Sequence, residues 1–209
     1  MTLLAIDTSA GISVAVLFDD GRSVEVNTEE TRLHAEQLSV LIAQVLSEAG
    51  VTTKDLSGIA VGTGPGPFTG LRIGLVAART LAFALDLPLY GVCSLDALAL
   101  QTVEDLKLHP GTEILVATDA RRKEVYWAQY RNLEPLLGSQ VSSPTELPHC
   151  EITVGQGAVL YPDVLHLSHG APTLPSATAL GRIALQRAAQ NLPQPTDPLY
   201  LRRPDIHGQ

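Results

Sequence analysis

A chain of 209 residues with 45% hydrophobic side chains can bury a core as one large domain or two small ones. Its 14 basic and 22 acidic residues leave a net charge of −8, which argues against a chain that grips nucleic acid unaided, since that affinity comes largely from neutralising phosphates. Cys93 and Cys150 show no CxxC or zinc spacing, which points to a reducing cytoplasm, and neither a signal peptide nor a membrane span is expected.

The N-terminal third reads as a meander followed by a helix. Residues 3–6 form a short apolar strand ending on Asp7-Thr8-Ser9, and residues 12–18 alternate as a second strand. Asp20-Gly21 supplies a turn into a third strand at 22–26. Over residues 33–49, Leu38, Leu41, Ile42, Val45 and Leu46 recur at helical spacing, and Gly50 stands where a helix would stop. A strand at 59–61 then enters Gly62-Thr63-Gly64-Pro65-Gly66-Pro67-Phe68-Thr69-Gly70-Leu71-Arg72-Ile73-Gly74, which leads into a helix ending at Asp86. A strand at 87–92 and a helix at 95–106 follow.

The pattern then restarts. Residues 114–120 echo residues 3–9, an apolar strand closing on an Asp with small neighbours, and a second strand follows at 124–130. Two related halves are expected, 1–106 and 107–209, divided near His109-Pro110-Gly111; two unrelated hairpins would leave the same trace. Residues 152–154 read as a strand, and Ser176 caps a helix over 177–190. Pro193, Pro195, Pro198 and Pro204 give an extended tail lying on the surface. Strands alternating with helices make this an α/β protein.

Three features could carry chemistry. Asp7 and Asp119 end strands, where a carboxylate faces the ligand crevice of an α/β sheet or caps its own turn. Both roles fit Asp7, while Arg121, Arg122 and Lys123 point to neutralisation of Asp119. The glycine run could cradle a phosphate, but Pro65 and Pro67 each remove an N–H donor and no Lys-Ser/Thr pair follows. Gly66, Gly70 and Gly74, four residues apart, favour close packing instead. His166 and His169 read as loop residues, and Cys93 as a small buried side chain.

The third feature is the helix launched by the glycine run. Its charges before Asp86 are Arg72 and Arg79 alone, and apolar residues surround it, so a face left uncovered by the chain is a protein interface. Leu38, Leu41, Ile42 and Val45 of the first helix, with Arg72, Leu75, Ala78, Arg79 and Ala82 of this one, are the expected partner surface. Leu75→Glu or Ala78→Glu is expected to break association and leave the chain folded.

Leu4-Ala5-Ile6-Asp7-Thr8-Ser9, the run Gly64–Gly74, Asp119-Ala120-Arg121-Arg122-Lys123-Glu124-Val125-Tyr126-Trp127-Ala128 and Pro198-Leu199-Tyr200-Leu201-Arg202 together resemble the TsaB (YeaZ) family. The glycine run is shared with the related TsaD group; the run from Asp119 points to TsaB. The resemblance implies a two-lobed actin/Hsp70/sugar-kinase-like (ribonuclease H-like) fold with duplicated halves. It implies a cytoplasmic, non-catalytic subunit in the making of threonylcarbamoyladenosine at position 37 of tRNA, with TsaD as the transferase and TsaE as an ATPase joining them. A homodimer is expected when the chain is alone, with tRNA reached through the complex and no membrane.

TsaD-type relatives carry an HMEGH-like segment whose outer histidines hold the catalytic metal. Ser94 and Leu98 stand at those places here, and Leu98 cannot ligate, so no metal and no catalytic residue is expected. Asp7, Thr8, Ser9, Gly64, Gly66 and Asp119 are then a vestigial nucleotide or phosphate site. No cofactor is required by the chain itself, and ATP or ADP belongs with the complex. Pro67 stands where many relatives have Ser, removing a hydroxyl and an N–H. The rival reading is an enzyme, a nucleotide-dependent transferase or a metallopeptidase-like member of the glycoprotease family, built on Asp7, Thr8 and the glycine loop.

Overall fold

The computed structural model describes residues 1–28 and 34–202, with side chains from residue 36 onward in the second segment. Leu33 of the first expected helix, and Arg203 and Pro204 of the tail, lie outside the described residues. The first half comprises β1 (Thr2–Asp7), β2 (Ile12–Phe18), β3 (Ser23–Thr28), α1 (His34–Glu48), β4 (Gly58–Gly62), α2 (Phe68–Leu85), β5 (Leu89–Val92) and α3 (Ser94–Leu106). The second comprises β6 (Glu113–Asp119), β7 (Val125–Arg131), β8 (Glu134–Ser142), β9 (Ile152–Val154), α4 (Gln156–Leu160) and α5 (Ala177–Ala189).

The restart in the sequence is a duplication in space. The first sheet runs β3-β2-β1-β4-β5, and the second, β8-β7-β6-β9, repeats its first four places. In both, the founding strand pairs antiparallel with the next strand and parallel with a later one. Asp7 opposite Ser13 and Asp119 opposite Val125 close the corresponding hairpins. This is the ribonuclease H-like sheet of the expected two-lobed class.

The unbroken apolar run of β1 reflects burial on both faces, because adjacent side chains point to opposite sides of the sheet. Leu4 and Ile6 join the core formed with α1 and α2, while Leu3 and Ala5 join the one formed with α5. That second layer corrects the expected boundary of the halves. The second sheet does begin just past residue 107, but α5 returns to the first sheet, where a Cβ on Gly181 would lie 2.5 Å from Leu17 Cδ1. The tail follows it, Gly91 N donating to Gln194 O (3.2 Å) and Leu199 N to Thr63 O (2.8 Å). The physical reason is that α1 and α2 cover only one face of the first sheet, and α5 closes the other.

Two elements were not legible. β8 carries Pro135 and Gly138 and lacks alternation, yet it pairs with β7 through Asn132 and Leu133, which hold left-handed φ of 53° and 63°. The short α4 is the other. α2 begins at Phe68 and ends on left-handed Asp86, whose N–H donates to Ala82 O and Phe83 O. By length and composition alone α2 could cross a membrane, but its inner residues pack on the first sheet.

The lobes are tied through one carboxylate. Tyr130 of β7 donates its hydroxyl to Asp96 Oδ1 (2.8 Å), and Arg187 of α5 donates to Asp96 Oδ2 (2.7 Å). Burial, and then the neighbouring Cys93 and Asp96, push the Tyr130 hydroxyl well above its ordinary pKa, so it stays a donor at neutral pH. Asp96→Ala leaves Tyr130 unpaired in the core and is expected to cost about 2 kcal/mol in urea unfolding.

Candidate functional site

The glycine run and the turn after β1 are two halves of one packed unit. A Cβ on Gly62 would lie 2.0 Å from Asp7 Oδ2, one on Gly66 2.7 Å from Ser9 O, and one on Gly74 2.3 Å from Thr8 Oγ1. Thr8 donates its hydroxyl to Gly70 O at 2.8 Å, inside the first turn of α2. Gly64, at φ +91°, accepts from Ser94 N at 2.8 Å and so anchors the loop to α3. These glycines admit the close approach of the chain's own 7–9 turn.

Asp7 is buried inside this unit, and its carboxylate is bonded on both oxygens. Oδ1 accepts from Ser9 N (2.8 Å) and Ser9 Oγ (2.6 Å), and Oδ2 accepts from Ser94 Oγ (2.6 Å). Burial raises its pKa; the bonds from Ser9 and Ser94 oppose that rise, and the charge on Glu25 adds to it. Asp119 behaves differently. Its Oδ1 accepts from Arg121 N at 2.8 Å and its Oδ2 pairs with Arg121 at 3.1 Å, so it caps and neutralises its own turn. The six residues expected to form one vestigial site therefore divide: Asp7, Thr8, Ser9, Gly64 and Gly66 pack together, and Asp119 belongs to the second hairpin.

One cavity, of about 210 Å³, adjoins Asp7 between Ser13, Glu25, Gln101 and Pro175. Glu25 is the residue that sequence reasoning missed. Its carboxylate accepts from Ser13 Oγ, Ser176 Oγ, Ala177 N and Thr178 N, and so occupies the N-terminus of α5. The available signal was that α5 has no acidic residue in its own first turn, which leaves its dipole to be met from elsewhere.

The expected partner surface needs correction by face. Leu38, Val45, Leu75, Ala78 and Ala82 are core residues against the sheet, so Leu75→Glu or Ala78→Glu would put a charge in the interior and unfold the chain. A helix apolar all round gives no sign of which side is inward. The outer side holds a groove of about 650 Å³ between α1 and α2, lined by Ile42, Arg72, Ile73, Val76, Ala77 and Leu81 among others. Val76 is 60% and Phe83 91% exposed, while Leu41 packs at the edge of the core and Arg79 donates to Thr196 O of the tail.

The family model for TsaD, tRNA N6-adenosine threonylcarbamoyltransferase, matches residues 26–163. An Escherichia coli protein, tRNA threonylcarbamoyladenosine biosynthesis protein TsaB, is 32% identical over 223 residues, covering 97% of this chain and 95% of that one. An uncharacterized Mycobacterium tuberculosis protein is 39% identical over 207 residues, covering 98% and 93%. A Pseudomonas aeruginosa structure with similarity to peptidase YeaZ matches with a TM-score of 0.82 at 32% identity, covering 96% of this chain and 99% of that one. The chain belongs to the TsaB (YeaZ) family.

Within that family's frame, Ser94 and Leu98 can be placed. Ser94 is the donor that holds Asp7, and Leu98 lies in the core with Leu95 and Ile114. Among the described residues, no group of three or more His, Cys, Asp or Glu side chains is arranged to hold a metal. Pro67 is the N-cap of α2 and gives it no side-chain cap bond.

Two outcomes follow from the packed unit. Gly74→Ala should gain helix propensity yet destabilise the chain by about 2 kcal/mol, because the methyl meets Thr8. Thermal unfolding checks it, and Thr8→Ala in the same chain should recover part of the loss. Since the folded state raises the Asp7 pKa, the stability this group contributes is present below pH 3.8 and lost as pH rises through the folded value. Asp7→Asn removes that titration, so the stability of the variant relative to the wild type should increase from pH 4 to pH 7 in urea titrations.

Proposed function

We propose that this chain is a non-catalytic subunit of the tRNA N6-threonylcarbamoyladenosine machinery, which binds and supports the TsaD transferase together with TsaE. The observation that carries the reading is the outer groove between α1 and α2, an apolar surface with Val76 and Phe83 exposed beside it. An apolar face of this size on a chain whose core is already complete is what a protein partner covers. The biosynthetic role comes from the family, whose E. coli member carries the pathway in its name.

The packing of the glycine loop supports a supporting role over an enzymatic one. The carboxylate an enzyme would use is bonded to Ser9 and Ser94, and a leucine stands at one ligand position. ATP or ADP then acts in the assembled complex, in the cytoplasm where tRNA is modified. A second copy of the chain can cover the same groove when TsaD is absent. The net charge of −8 leaves most of the grip on tRNA to the partner.

Mixing the chain with TsaD at micromolar concentrations and resolving the complex by size exclusion tests this reading. Val76→Glu, on the exposed face, should weaken the complex at least ~10-fold, or about 1.4 kcal/mol, while its melting temperature stays near that of the wild type. No complex with the wild-type chain would remove the proposal.

A further inference from the structure

The tail that follows α5 is bonded to both lobes. It starts on the first, where Gln194 O accepts from Gly91 N of β5 (3.2 Å) and Gln194 Nε2 donates to Ala184 O of α5 (3.1 Å). Gly91 is its seat, since a Cβ there would lie 2.0 Å from Pro195 O. Along α2, Arg79 donates to Thr196 O at 2.7 Å and Arg72 Nε donates to the Tyr200 hydroxyl at 3.0 Å. Between them Leu199 N donates to Thr63 O. Arg202 then reaches the second lobe, donating to Ala120 O at 3.1 Å and pairing with Glu124.

The lobes meet differently at the two ends of the β6–β7 hairpin. At one end Tyr130 stands opposite Ile114, and both pack with Leu95 and Leu98 of α3 while the Tyr130 hydroxyl is bonded to Asp96. At the turn end a cavity of about 190 Å³ separates Gly66 and Pro67 of the glycine loop from Ala120 and Tyr126, and Tyr200 and Arg202 of the tail line it as well. Ile114 and Asp119 stand five residues apart on β6, or about 16 Å of extended chain. The hairpin is therefore a lever, packed at its near end and bridged by the tail at its far end.

We propose that residues 193–202 are a strap that sets the angle between the lobes. Docked, it holds the turn after β6 to the glycine loop; undocked, the second lobe swings about the Asp96 tie and the cavity opens. The contacts that hold it suit a reversible device. The bonds from Arg72 and Arg79 are exposed, so water replaces them at little cost. Tyr200 packs on Phe68 with ring centroids 5.0 Å apart, yet it stays 36% exposed, so its release uncovers little apolar surface. Pro193, Pro195 and Pro198 fix φ at three places, which keeps the free tail near its docked, extended form and lowers the entropy lost on redocking. Hinged closure of one lobe on another needs only a few residues to absorb the motion. The strap acts in the chain alone, so a failure to bind TsaD leaves it standing.

The test is double electron–electron resonance between two nitroxide labels on the full-length chain, with Cys93→Ala and Cys150→Ser removing the native thiols. One label is carried by Lys54→Cys in the first lobe. The other is carried by Lys123→Cys in the turn or by Glu134→Cys beside the packed end of the hairpin. Arg202→Ala, which frees the tail from the second lobe, should lengthen and broaden the 54–123 distance distribution and leave the 54–134 distribution near its original width. Gly91→Ala should do the same from a distance, because its methyl meets Pro195 and Thr63 and acts on the turn only through the tail. Should Gly91→Ala fail to fold, Arg202→Ala decides the outcome by itself. The proposal is overturned if the 54–123 distribution is unchanged in Arg202→Ala and in the double variant, or if both distributions broaden equally.

Discussion

The structure depends on the close approach of the turn after β1 to the glycine face of α2. Asp7, Thr8 and Ser9 sit where side chains on Gly62, Gly66 and Gly74 would have to be, and the Thr8 hydroxyl reaches Gly70 O. Such an approach fixes more than distance. It sets the rotation of α2 about its axis, because the glycines, Leu71, Leu75 and Ala78 must all face the sheet. Once that stripe is inward, Val76 has to point outward. The groove is therefore a geometric consequence of the glycine loop, although no residue of the loop before Arg72 lines it.

The same unit explains how an acidic group is kept in an apolar interior. An isolated carboxylate there would be costly, and its raised pKa records that strain. Three short donors from Ser9 and Ser94 offset the cost. Ser94 comes from the start of α3, so the carboxylate also fixes α3 against β1. The Ser94 hydroxyl, donating at 2.6 Å, is the one bond that reaches Asp7 Oδ2 from outside the 7–9 turn.

Much of this was legible in the residues, and what was not has physical causes. The doubly buried strands showed as apolar runs, and the duplication showed because each founding strand ends on Asp. The glycine spacing announced close packing. The inward face of α2 could not be read, since Leu75 and Val76 are equally apolar and only the Thr8 contact separates their fates. Glu25 was invisible because its partners at Ser176 and Thr178 lie about 150 residues away. β8 lacked the alternation that marks a half-buried strand, because most of its residues face solvent. The return of α5 to the first sheet is a matter of which face remained uncovered, and no local pattern encodes it.

Arg72 joins the two surfaces that remain. Its side chain lines the groove between α1 and α2, and its guanidinium also lies over Phe68 and donates to Tyr200, at the edge of a second cavity that Gly66, Tyr126 and Leu201 line. The contact is exposed to solvent, so it contributes little to stability and can be exchanged at small cost. Below that contact, Leu199 N holds the tail to Thr63 O, so the position of Tyr200 does not depend on Arg72 alone. Because both surfaces hang from the first turns of one helix, the packing that buries Asp7 sets the distance between them.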